Sequence, residues 1–445
     1  MNKVVVPFPI GQKLCSPIAQ FFRIGDSHVK FGEIHASGRL PLSRVAFEAG
    51  RLKQQNQLAA QLRTEGVEIT IDTGAAELSS PAWFGTFVRH APWLEEVPEK
   101  PLGPSDYDEG AIERMAEMAI TFDADRILAP THFLGDRNFE GWLSVDAASC
   151  AILRRALDCL GGSRVRIDYP VLHSVQGLID PASRKALVET LSNLPVDALW
   201  MRLSGLGKEP GPQKIRSLVR MLGGLHNLGN PVILDYCSGL NAEAAEAFGV
   251  SSGAAGGILE LDQFSARNWH KHPEMRDPDF KSGRPRIVQV PGLGRGFRAH
   301  EFELLARAKG GRKLLLQSEH ASATSIDEMV RSRKVIQALH IARSQEALQG
   351  IPDLNRAGHF LSKTVPAAER LAKDISFLKP AEAQAKAAEV DLESLLTRTR
   401  VHAETMGKVA DALEGLHEER GKDSPRARAC DLNVAVASPP GVQRK

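Results

Sequence analysis

The feature that most constrains this chain is an alternation. Short runs of branched and aromatic residues take turns with longer stretches whose apolar residues recur at helical spacing. The strand-like runs fall at 29–35, 67–72, 126–129, 165–172, 197–203, 232–234, 256–259 and 286–290. Helical stretches at 43–63, 109–122, 145–160, 182–192, 213–228, 241–248 and 300–309 separate or follow most of them. Local punctuation agrees: Gly66 and the pair Gly161-Gly162 stop helices, and Asp180-Pro181 supplies an N-cap followed by a first-turn proline. Buried strands alternating with helices predict a parallel sheet. An open doubly wound sheet shares that pattern, but eight strands predict a closed (β/α)8 TIM barrel, followed here by a helical C-terminal region.

The expected organisation is an irregular segment 1–27 broken by Pro7, Pro9 and Pro17, a barrel over 28–310, a helical region over 311–420, and a disordered tail over 421–445 rich in Pro, Arg and Ser. A Pro- and Trp-rich insertion follows the second run, with Pro81, Trp83, Pro92, Trp93 and Pro98; inserts of this length are usually functional. The charge-laced stretch 381–419 reads as a solvent-exposed helix or one that engages a protein partner or a second copy of the chain.

Composition excludes more than it selects. Lysine and arginine number 56 against 54 acidic residues, so net charge names no partner. Five scattered cysteines without a C-x-x-C pair argue against a disulfide framework or a thiolate zinc site. No run approaches the roughly 18 apolar residues of a membrane span, and the N-terminal apolar run is short and interrupted by proline. A cytoplasmic protein with no membrane contact, cofactor or metal is expected.

In such a barrel the chemistry sits where strands end at their C-terminal side. Those ends carry Asp72, His132, His173 with Gln176 nearby, Ser204-Gly205 and Asp235. The segment 260–284 adds Asp262, Arg267, Trp269, His270, Lys271, His272, Arg276 and Lys281. Cations beside an aromatic suit phosphate contacts and base stacking. Each residue also has a plain structural reading: an acid before Thr-Gly favours a turn, and strand-end histidines are commonly hydrogen-bonded wall residues.

The run ITIDTGAAEL, at 69–78, resembles the strand of the tRNA-guanine transglycosylases that ends in Asp-Ser-Gly-Gly, and HSVQGLIDPASRKALVETLSNLPVDALWMRLSGLGKE resembles that family's Gln-Gly segment, helix and Gly-Gly-Leu loop. The likeness spans roughly 67–260 in order and spacing. It implies base exchange in nucleic acid, with Asp72 as the catalytic acid/base and base anchor. By the same resemblance Gln176 and the Ser204–Gly205 loop read the base, and RNA or DNA and a free purine or 7-deazapurine base are the partners. Three departures accompany it. The family's nucleophilic Asp is replaced by GVSSGAAGG, leaving Asp235 or Asp262 to substitute; the zinc cysteines are absent from QSEHASAT; and Thr131 or His132 stands where the family reads guanine with an Asp. Two alternatives stay open: a non-catalytic binding subunit, and a metal-dependent hydrolase built on Asp72, His132, His173 and Asp235.

Overall fold

The computed structural model describes residues 15–40, 42–80, 87–135, 139–225, 228–258, 261–266, 286–316 and 323–420. Eight parallel strands close a barrel: β1 (Ala19–Arg23), β2 (Arg44–Glu48), β3 (Glu68–Asp72), β4 (Arg126–Leu128), β5 (Arg166–Ser174), β6 (Ala198–Ser204), β7 (Val232–Asp235) and β8 (Gly253–Gly256). The helices around it are α1 (His28–Ala36), α2 (Leu52–Thr64), the single turn α3 (Ala75–Leu78), α4 (Glu109–Thr121), α5 (Phe139–Cys159), α6 (Val175–Ile179), α7 (Pro181–Leu191), α8 (Pro212–Leu225) and α9 (Leu240–Ala247). The fold class is therefore a (β/α)8 barrel.

Closure joins β1 to β8, with Ala19 opposite Gly253 and Phe22 opposite Gly256. A side chain at Gly253 would put its Cβ 2.0 Å from the Ala19 carbonyl oxygen, so the seam requires a residue without one. Strand alternation sends every second residue inward. The inward positions form three layers. At the N-terminal end Arg126 joins Glu68 (2.5 Å) to Asp168 (2.7 Å), Arg44 adds a second bond to Glu68 (3.0 Å), and the Trp200 indole donates to Asp168 (2.8 Å). Phe21, Ala46, Leu128, Trp200 and Ile233 fill the middle. Arg23, Glu48, Asp72, Arg202 and Asp235 make the third layer, at the mouth.

Four strand expectations move. Residues 29–35 form helix α1, with Val29 largely exposed at 62%, and the first strand lies earlier, inside the stretch read as irregular. Strand β2 occupies the start of the expected helix 43–63, because the apolar pattern of RVAFE runs straight into α2. The weak run at 256–259 is displaced to β8, and it is the barrel's eighth strand. Residues 287–290 stand outside the barrel as β9 (Ile287–Val290), paired antiparallel with β10 (Arg295–Arg298).

Beyond the hairpin lie α10 (Ala299–Arg307), α11 (Gly311–Leu316), α12 (Ile326–Arg331), α13 (Arg333–Gln349), α14 (Asp353–His359), α15 (Val365–Ser376), α16 (Glu382–Ala387) and α17 (Leu392–Arg420). The last is not a free helix. Leu395, Thr399, His402, Met406, Val409, Leu413 and Leu416 recur at alternating spacings of four and three, and this stripe is buried as α17 packs on α8 and α15. Glu419 ties its end to Arg216 and Arg220. Its apolar face is thus used within the chain, which removes the stripe as a partner surface. The expected tail, 421–445, lies outside the described residues.

Candidate functional site

At the mouth two arginines hold two aspartates. Arg23 makes a forked contact with Asp235, Nε to Oδ1 at 2.5 Å and Nη2 to Oδ2 at 2.7 Å, and reaches Asp72 Oδ2 through Nη1 at 2.9 Å. Arg202 mirrors it, with Nε on Asp235 Oδ2 (2.9 Å) and Nη2 on Asp72 Oδ2 (2.7 Å), and its Nη1 donates to Glu77 Oε1 (3.1 Å). The Tyr236 backbone N–H donates to Asp235 Oδ1 (3.0 Å), and that of Gly74 to Asp72 Oδ1 (3.2 Å). Tyr236 sits in the left-handed region at φ 54°, which turns its ring back over both guanidiniums, at 4.4 Å from Arg23 and 4.8 Å from Arg202. Glu48 completes the ring, hydrogen-bonded to Arg51 at 2.8 Å.

The neighbourhood sets the charges. Burial would raise Asp72, but the Arg202 and Arg23 guanidiniums and the Gly74 N–H outweigh it and hold its pKa at about 2. Burial pushes Glu77 the other way, to about 7; Arg202 opposes the rise and the Asp72 charge adds to it. Glu48 is raised by burial against the pull of Arg51 and Arg23. The mouth thus pairs a carboxylate fixed in its ionised form with carboxyls that take up protons more readily.

The insertion after β3 positions Glu77. Gly74, at φ 73°, turns the chain out of β3 into α3. Trp93, fully buried, donates from its indole to the Thr73 carbonyl (2.9 Å), and the Tyr107 hydroxyl donates to the Ala75 carbonyl (2.9 Å). The Leu102 N–H bonds the Leu78 carbonyl at 3.0 Å. The expected functional insertion is therefore the clamp on the one turn that carries Glu77. Beside it Ala76, Leu172, Phe264 and Ala266 form an apolar cluster flanked by Phe133 and Tyr236, with the Phe264 ring 6.1 Å from Phe133 and 6.4 Å from Tyr236.

The other expected residues divide. Asp72 and Asp235 are brought together through their shared arginines. Ser204 is used structurally, its Oγ accepting the Ala266 N–H (3.0 Å), and Gly205 follows, exposed, at φ 92°. Gln176 is exposed on α6. Asp262 is paired with Lys208 at 2.5 Å and not with Arg23 or Arg202. His132 is turned onto α5: its Nδ1 and backbone N–H both donate to Asp146 (2.6 and 3.0 Å), and its ring stacks on Trp142. Thr131 beside it is buried. His173 accepts the Ser174 N–H on Nδ1 (2.8 Å), and burial lowers its pKa, which favours the neutral ring. Arg267, His270, Lys271, His272, Arg276 and Lys281 lie outside the described residues. Among the described residues no group of three or more His, Cys, Asp or Glu is placed to hold a metal ion, and no helix is long and apolar enough to cross a membrane.

No family model and no curated protein matches this chain. Solved structures similar to it include a type I 3-dehydroquinate dehydratase from Clostridium difficile, at 9% identity over 58% of this chain and 91% of that one, TM-score 0.35. An endo-1,4-beta-xylanase from Penicillium canescens is similar at 9% identity over 54% and 82%, TM-score 0.36.

Sequence reasoning missed Arg23, Arg202, Glu48 and Glu77. A signal was present: QFFRI and WMRLS each place one arginine within an apolar run, and a charge inside a buried strand needs a partner. Which partner it finds depends on barrel closure.

Proposed function

We propose that the barrel mouth breaks and re-forms an N-glycosidic bond, exchanging a base in RNA or DNA. The observation that carries this reading is the carboxyl-rich ring itself: Glu48, Asp72, Glu77 and Asp235 against Arg23, Arg51 and Arg202. When all are ionised the ring has four negative charges against three positive. That excess faces a reaction whose sugar becomes cationic as the base departs. The aromatic wall of Phe133, Phe264 and Tyr236 suits a planar base, and Asp72 stands at the strand end where the resemblance to tRNA-guanine transglycosylases expects its acid. Asp72 then supplies fixed negative charge through its arginines, with Asp235 as its counterpart.

A second reading, a non-catalytic nucleic-acid-binding subunit, has its own observation. Asp235 receives four hydrogen bonds across its two oxygens, so it has little capacity left for a substrate. One assay separates the two: incorporation of labelled guanine or 7-deazaguanines into mixed tRNA and duplex DNA, with Asp72→Asn in parallel. Incorporation that Asp72→Asn abolishes while folding is retained supports exchange. Salt-sensitive binding to either polymer without incorporation favours the binding subunit.

A further inference from the structure

Of the three carboxyls that Arg202 holds, one is bonded differently from the other two. Asp72 Oδ2 accepts from two guanidiniums, and Asp235 has both oxygens doubly engaged. Glu77 gives only Oε1 to Arg202, while its Oε2 is buried with no hydrogen-bond partner. A buried polar oxygen left without a partner calls for an explanation, and a catalytic role is one. It is also the arrangement that a proton donor needs, since a carboxyl engaged on both oxygens by cations has no site for a proton.

We propose that Glu77 is the acid and base of this site, giving its proton to the departing base and recovering one from the incoming base. This rests on the base-exchange reading above. As the bond from C1′ to the base breaks, its electron pair goes to the base nitrogen, and the Glu77 proton lets the base leave neutral. The sugar is left cationic, facing a ring in which Glu77 is now ionised. An incoming purine-like base attacks C1′ through a ring nitrogen and returns that nitrogen's proton to Glu77. One base leaves and one enters; no oxidant or net proton is consumed, and neither aspartate forms a covalent bond.

The surroundings of Glu77 favour this use. Arg202 from β6 draws it towards ionisation, Asp72 from β3 and Glu48 from β2 oppose that, and the Tyr107 and Tyr236 phenols lie within the same field. Its pKa of about 7 is near the value at which a general acid works best at neutral pH. The clamp of Trp93 and Tyr107 on α3 holds it in place.

The test is the exchange assay run from about pH 5 to about pH 9 on the full chain with wild type, Glu77→Gln and Glu77→Asp. Glutamine keeps the acceptor for Arg202, so a merely structural role would survive it. The expected result is a pH limb near neutrality in wild type, its disappearance in Glu77→Gln, and a rate loss on the order of 100- to 10,000-fold. The thermal midpoint should be no lower than in wild type, since glutamine removes a buried ionisation, and salt-sensitive nucleic-acid binding should be retained. A folded Glu77→Gln protein that keeps both rate and limb overturns the assignment while base exchange stands. If wild type incorporates no base at all, the base-exchange reading fails first and takes this one with it. If Glu77→Gln does not fold, Glu77→Asp decides: a displaced limb supports the proposal and an unmoved one overturns it.

Discussion

A second pair of acids, outside the ring at the mouth, should make the fold pH-sensitive. Glu246, buried, and Glu243, half-buried, lie on α9 where it packs against α13; Gln345 donates to Glu246 Oε1 at 2.7 Å and Glu246 Oε2 has no partner. Burial, with the Glu243 charge adding to it and Gln345 opposing, lifts Glu246 to about 8; burial lifts Glu243 to about 7. An acid whose folded pKa lies above its unfolded value of 4.5 is protonated in the fold and ionised in the unfolded chain between those limits. Stability therefore falls as pH rises from about 4.5, and the loss is complete above about 8. At 1.36 kcal/mol per pKa unit, the Glu246 shift corresponds to an upper limit of about 5 kcal/mol, part of it shared with Glu243. Glu246→Gln keeps the acceptor for Gln345 and removes the ionisation. Urea unfolding at about pH 4 and about pH 8.5 should show little difference from wild type at the lower pH and a gain of a few kcal/mol at the higher. Parallel stability curves for the two proteins would refute the reasoning.

Other consequences follow from the barrel. Arg202→Met leaves Asp72 and Asp235 with one shared guanidinium and should cost about 3–5 kcal/mol in unfolding free energy; adding Asp72→Asn should recover part of that, and a larger loss in the double variant would count against the network. Gly253→Ala forces a Cβ against the Ala19 carbonyl and should lower stability by at least about 1–3 kcal/mol, read as a lower thermal midpoint; an unchanged midpoint would mean the seam is looser than the 2.0 Å approach indicates.

The sequence errors have physical causes. Strand β8 is Gly-Ala-Ala-Gly, so the signal of branched residues is missing where the barrel seam needs small ones. Strand β1 is five residues long and lies close after Pro17, within a stretch whose prolines suggest irregular chain. Strand β2 leads through a single short turn, Ala49–Arg51, into α2, and its apolar residues merge with the helical pattern. Val288 and Val290 of β9 are buried and alternate with half-buried neighbours as they would in a barrel strand; nothing local marks their antiparallel partner in β10. The caps, by contrast, were legible because they are local: Asp180 accepts the Ser183 N–H at 2.9 Å, as its position before Pro181 predicts.

Sequence by itself determined the class of fold, the strand-end position of Asp72 and Asp235, and the presence of an insertion beside β3. Each is a matter of period, punctuation or order along the chain, carried by residues near one another. Only the tertiary structure decided what those acids meet. Arg23 and Arg202 lie 179 positions apart in the numbering, yet both bind Asp72 and Asp235. Closure of the barrel sets their separation, and with it which carboxyl is ionised and which keeps a buried oxygen available for a proton.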